Sequence, residues 1–81
     1  MNPSTIQSLR AAISESIASR SVPTISVPDI ESAVAWIERN HHDVDWDPFP
    51  DRITIFGDDP SIPVSESGDG LESHFVLEIL R

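Results

Sequence analysis

The chain has 81 residues, 38% of them hydrophobic, no cysteine and a formal net charge of −9. These values describe one small domain over residues 1–81 closing a single modest core, and exclude a disulfide framework, a zinc knuckle and a thiol nucleophile. There is no lysine, and 14 acids stand against five arginines; direct binding to nucleic acid or to an anionic membrane is disfavoured, since both require clustered cations.

Residues 3 to 20 read as an amphipathic helix in which Ile6, Leu9, Ile13 and Ile17 recur at helical spacing. Pro3 suits its first turn, Asn2 or Ser4 can cap it, and Ser21-Val22-Pro23 ends it. Its polar face is assigned to Ser4, Ser8, Ser14, Ser16 and Ser19. Thr24 to Val27 is either a short strand or an extended connector. Asp29 caps a second helix running to Asn40, with Ile30, Ala33, Val34 and Ile37 on its apolar side and Val27 available as a staple. Trp36 falls about 100° from the centre of that stripe, which predicts a half-buried ring.

The run from His41 to Asp51, HHDVDWDPFPD, is proline-rich and acidic, and reads as an ordered or semi-ordered loop. Arg52 to Phe56 alternates with β-branched and aromatic residues and is the clearest strand. Gly57-Asp58-Asp59-Pro60 is turn chemistry, opening a polar connection over residues 58 to 70. Leu71 to Arg81 fits a helical stripe capped by Asp69 and a period-two strand alike; the strand over residues 73 to 80 is preferred, because Arg52 to Phe56 needs a partner for its backbone groups. The expected fold is α+β, with two N-terminal helices on a small antiparallel sheet. Its core is assigned to Ile6, Leu9, Ile13, Ile17, Ile30, Val34, Ile37, Ile53, Ile55, Phe75, Leu77 and Ile79.

No motif carries catalysis: the chain lacks a G-x-S-x-G elbow, a phosphate-cradling glycine loop and an H-E-x-x-H helix, and it has three glycines in all. A non-enzymatic role without cofactor or metal is expected. Asp43, Asp45 and Asp47 resemble the start of a calcium loop, but the turn glycine and the bidentate glutamate of that pattern would fall on Pro48 and Thr54. His41 and His42, as neighbours on an extended chain, point to opposite sides and read as a solvated helix exit, where an imidazolium complements the helix dipole.

Charge placement is the informative feature. Residues 1 to 28 contain Glu15 against Arg10 and Arg20, whereas residues 29 to 78 hold 13 acids against Arg39 and Arg52, a local balance of −11. This asymmetry favours a charged face over uniform salt adaptation. Within it, Trp46 and Phe49 alternate with acids, the pattern of aromatic anchors ringed by polar groups at protein interfaces. The alternative is closure over the sheet, and both are met with Phe49 inward and Trp46 outward. The candidate partner-binding residues are therefore Asp43, Asp45, Trp46, Asp47, Phe49, Asp51, Asp58 and Asp59.

The expected function is an inhibitor that occupies a basic site on a partner protein. The site would be a nucleic-acid-binding groove, as in a defence nucleoprotein complex, with carboxylates standing where phosphates would. On an extended chain Asp43, Asp45 and Asp47 would be about 6.6 Å apart, a line of charge comparable to a sugar-phosphate strand. In size, acidity and lack of a catalytic signature the chain resembles, as a class, the small inhibitors of phages and mobile elements, including anti-CRISPR and DNA-mimic proteins. The resemblance is one of composition, and it implies a role in the host cytoplasm. The alternatives are an antitoxin, immunity-type or adaptor protein that blocks a basic enzyme without imitating nucleic acid, and a salt-adapted domain.

Overall fold

A computed structural model describes residues 2–59 and 74–81. Helix α1 (Pro3–Ser19) is capped by Asn2, whose Oδ1 accepts from the Thr5 backbone N–H at 2.9 Å and from the Thr5 hydroxyl at 3.1 Å. This satisfies donors that a helix start leaves without partners. Arg20, in the left-handed region at φ 54°, turns the chain out of the helix. After strand β1 (Thr24–Ser26), helix α2 (Ile30–Asn40) opens on Asp29, which accepts from the Ser32 backbone and hydroxyl. Asn40 closes α2, its side-chain amide donating to the Trp36 carbonyl at 2.8 Å.

Three strands follow: β2 (His42–Pro48), β3 (Arg52–Asp58) and β4 (His74–Leu80), in a sheet of order β1-β4-β3-β2. β2 pairs antiparallel with β3 and β3 with β4, whereas β1 pairs parallel with β4. The sheet is therefore mixed, not antiparallel as expected. The reason lies in α2, which carries the chain back across one face so that β1 and β2 run in the same direction. The β3 and β4 pair inserts between those two edges, and β4, antiparallel to β3, necessarily runs with β1.

The strand reading of the C-terminal segment holds over His74–Leu80, and β3 continues through Gly57 to Asp58 where a turn was expected. The remainder of the polar connection beyond Asp59, together with Glu66, Asp69 and Glu72, lies outside the described residues.

The helices cover the sheet face formed by Ile53, Ile55, Phe75, Leu77 and Ile79, all buried. Gly57 belongs to the same face, opposite Phe75; a Cβ there would lie 2.7 Å from the Phe75 ring, so the ring takes the space that a side chain would need. The α1 stripe is rotated from its expected position. Leu9 and Ile13 are buried, but with Thr5, Ala12 and Ser16, while Ile6 and Ile17 are only partly buried. On α2, Ala33, Trp36 and Ile37 are buried and Ile30 and Val34 stand at the rim. Small residues (Thr5, Ala12, Ser16, Ala33) are thus buried between helices and sheet together with Leu9, Ile13 and Ile37, while Ile6, Ile17, Ile30 and Val34 stand at the rim.

Ser16 departs most clearly from its expected exposed face. Its hydroxyl donates to the Val76 carbonyl and accepts from the Val76 N–H, both at 2.9 Å. β1 pairs with β4 only from Glu78 onward, so Val76 has no strand on that side, and the serine completes the ladder in its place. No helix among the described residues is long and apolar enough to cross a membrane.

Candidate protein-interaction site

The acidic run from His42 to Pro48 is an edge strand, not the expected loop. Its acids and prolines conceal the strand from a propensity reading, and pairing to β3 overrides that local preference. Registration pairs Asp45 with Phe56, Trp46 with Ile55, Asp47 with Thr54 and Pro48 with Ile53. Directly paired residues share a face, so Asp45 and Asp47 lie on the sheet face away from the helices and Trp46 on the helix side. A two-residue turn, Pro50-Asp51, joins β2 to β3, closed by the Phe49 N–H donating to the Arg52 carbonyl at 2.8 Å.

Counting back from that closed pair, the ladder bonds alternate, so the backbone groups of Asp45 and Asp47 turn toward β3 and those of Trp46 and Pro48 turn outward. Proline tolerates that outward place because no ladder partner waits for its missing N–H. A bulge between His42 and Asp45 puts Asp43 at φ 51°. The bulge, Pro48 and the flanking carboxylates all discourage another strand from adding to this edge. The bulge also breaks the expected extended line of three carboxylates; only Asp45 and Asp47 keep the alternate-residue spacing.

The eight predicted residues are thus distributed along β2 and β3 and not gathered at a point. Asp43, Asp45, Trp46 and Asp47 lie on β2; Phe49 and Asp51 lie at the hairpin; Asp58 lies at the far end of β3, opposite His42, with Asp59 beyond it. Phe49 is 41% exposed, so the inward packing expected of it does not occur; Trp46, expected outward, is 46% exposed but lies on the helix side of the sheet, opposite Ile55. The Phe49 ring lies 4.8 Å from the Arg52 guanidinium, and its carbonyl accepts from Arg81 Nε at 2.8 Å.

Arg52 and the ring of His74 already have carboxylate neighbours. Arg52 sits 3.0 Å from the Asp51 carboxylate and 3.5 Å from Glu78, and His74 Nδ1 is 2.8 Å from Asp58. Asp43, Asp45 and Asp47 are exposed and take part in no ion pair among the described residues. Among those residues, no group of three or more His, Asp or Glu side chains is placed to hold a metal ion.

His41 is not at a solvated helix exit. Its ring packs edge-on against Trp36 and Phe75, with centroids 5.8 and 5.1 Å away. Neither ring nitrogen makes a hydrogen bond with a described residue. Burial lowers its pKa from the ordinary 6.5, outweighing the Asp59 carboxylate and the nearby Asp58 backbone, which favour the charged form; the His42 charge acts with burial. At the start of α2, the Ser32 hydroxyl and then its backbone N–H hold the Asp29 carboxyl below its usual range.

Sequence reasoning left two acids out of the site. Glu31 and Glu38 of α2 border an open cleft of about 220 Å³ with Ile30, Val34, Ala35, Trp46 and Ile53. Their seven-residue separation, two helical turns on one side of α2, was the available signal; what places them beside Trp46 is the position of β2. Comparison with protein-family models, with curated proteins and with solved structures finds no match.

Proposed function

We propose that the protein is a non-catalytic binding protein whose acidic β2 edge engages a basic site on a partner protein. The observation that carries this reading is the separation of charges on the sheet. Arg52 is paired with Asp51 and Glu78, whereas the β2 carboxylates are exposed without a described counter-charge. Such a surface accelerates encounter with a basic protein and repels like-charged ones. An uncompensated row of carboxylates also costs some self-repulsion, which a cationic partner relieves.

The bulge at Asp43 favours recognition of a basic protein in general over close imitation of a nucleic-acid strand, since two carboxylates and not three keep the regular spacing. An inhibitor of a nucleic-acid-binding groove and an immunity-type blocker of a basic enzyme are then separated by competition. Oligonucleotides displace the protein from its partner in the first case and leave it bound in the second.

The test is Asp43→Asn, Asp45→Asn and Asp47→Asn together, with affinity capture of a basic partner followed by stopped-flow association. The variant should fold like the parent or be slightly more stable, and associate more slowly, with a weaker dependence on salt. Equal association rates across a salt series would reduce the acidity of β2 to solvation.

A further inference from the structure

The β2 strand and helix α2 meet incompletely, and the gap has a definite chemistry. Trp46 projects on the helix side of the sheet edge, yet it is 46% exposed. Ala35, one of the α2 residues lining this gap, is too small to cover an indole. The cleft of about 220 Å³ has Ile30, Val34 and Ile53 as apolar lining and Glu31 and Glu38 as its polar border. Both glutamates are exposed and without an ion pair among the described residues. At 1.5 Å per residue they stand about 10 Å apart along the helix. Arg39 lies in the adjoining depression with Ser32, Ala35 and Glu38, outside the cleft that holds Trp46.

We infer that this cleft receives a basic amphipathic helix of a partner protein. One apolar side chain of that helix enters between Trp46 and Val34, and two cations, seven residues apart, meet Glu31 and Glu38. The inference deepens the acidic-binding reading and rests on it. Charge complementarity selects the occupant: an apolar slot between two carboxylates penalises a wholly apolar helix, which would desolvate them, and repels an acidic one. The seven-residue spacing of Glu31 and Glu38 is matched by cations at i and i+7 of a helix laid along α2, with the apolar residue at i+4. A second copy presenting this same face is a poor occupant, because it would set Glu31 and Glu38 against their own equivalents. Trp46 then acts as the desolvated anchor and the glutamates as the polar rim. The site lies on the helix side of β2, whereas Asp45 and Asp47 lie on the other, so the two surfaces are separable by mutation.

A synthetic alanine-based helical peptide carrying Arg, Leu and Arg at i, i+4 and i+7 provides the probe, titrated into the full chain at low salt and followed by NMR. Trp36 and Trp46 are the two tryptophans, so Trp46→Phe assigns the indole resonances. Saturable shifts should centre on the Trp46 indole and the methyls of Ile30 and Val34. Glu31→Gln with Glu38→Gln should weaken binding about tenfold without altering the circular dichroism, and Leu→Ala in the peptide should weaken it at least as much. Three results would overturn the inference. The first is unchanged affinity of the double Gln variant. The second is a Trp46 resonance that moves with protein concentration alone, which would assign the cleft to a second copy. The third is a set of shifts centred on Asp45, Asp47 and Thr54 with Trp46 unmoved, which would reject the cleft while leaving the acidic-edge reading standing. Loss of both surfaces' response, together with unaltered association of the β2 Asn variant, would remove both readings.

Discussion

In β3, Ile53, Ile55 and Gly57 are buried while Arg52, Thr54, Phe56 and Asp58 are only partly so, a strict alternation imposed by helices on one face. In β2, beside it in the same sheet, only Val44 is even partly buried, and the chain tolerates a bulge, a proline and a left-handed aspartate. The two strands share a ladder and differ in what lies above them. An inner strand is fixed by packing on its side chains; an edge strand is fixed by backbone pairing to its neighbour, so its side chains are free to serve recognition. Stability should therefore concentrate in β3, β4 and the helices, and binding in β2 and its border with α2.

Leu77→Ala offers the strongest contrast. Leu77 is fully buried on β4, and its truncation should cost about 2 to 5 kcal/mol, enough to unfold much of so small a protein. Urea denaturation measures this directly; a loss no larger than that of an exposed β2 substitution would dissolve the division between the two regions.

Ser16→Ala tests whether the sheet edge beside β1 is held by one hydroxyl. Removing it orphans the Val76 N–H and carbonyl, at a cost of about 1 to 3 kcal/mol. Hydrogen exchange at the Val76 amide should accelerate in this variant more than exchange at Leu77 or Ile79. Equal acceleration along β4 would indicate global loss and not a local ladder defect.

His41 sharpens the comparison at the point where α2 hands over to β2. Because burial lowers its folded-state pKa, the unfolded chain binds the proton first as pH falls. Its contribution is fully present above the ordinary value of 6.5 and is lost progressively as pH drops below that value toward the lowered folded one. For one proton the slope is bounded by about 1.4 kcal/mol per pH unit. His41→Phe should flatten the stability profile just below the ordinary value of 6.5, without removing the carboxylate-driven loss at lower pH; an unchanged slope would place the titrating group elsewhere.

The smallest effect is expected at the bulge. Asp43 holds a left-handed backbone at φ 51°, which glycine adopts at lower cost, so Asp43→Gly should be neutral or stabilising by less than about 1 kcal/mol. The same change removes one exposed carboxylate, and thermal melts alongside association kinetics separate the two consequences. A destabilisation would mean that the Asp43 side chain supports the bulge.

How much of this was legible beforehand follows from which forces were local. Both helices and the Asp29 cap were readable, with Asn2 one of two candidates for the first cap, because apolar spacing and capping act within a few residues. The strand character of Arg52 to Phe56 was readable for the same reason; that of the C-terminal segment, whose local pattern fits helix and strand alike, was preferred only because Arg52 to Phe56 needs a partner. The acidic character of the candidate site was legible as composition. His42 to Pro48 was not legible as a strand, because its conformation depends on β3 and not on its own residues. Nor was the wedging of His41 between Trp36 and Phe75, or the depth of Trp36, since each brings together groups from separate elements.

The sequence by itself determined the two helices, the hydrophobic alternation of β3 and the acidity of the region after residue 28, all consequences of near-neighbour pattern and charge. Only the tertiary structure decided that the sheet is mixed, that Thr5, Ala12 and Ser16 are buried while Ile6 and Ile17 are only partly so, and that Ser16 serves a strand. It alone decided that Asp45 and Asp47 lie on the opposite side of β2 from Trp46, Glu31 and Glu38. The physical reason is that register and crossover direction are chosen by the packing of α1 and α2 on the sheet, a global competition that no seven-residue window contains.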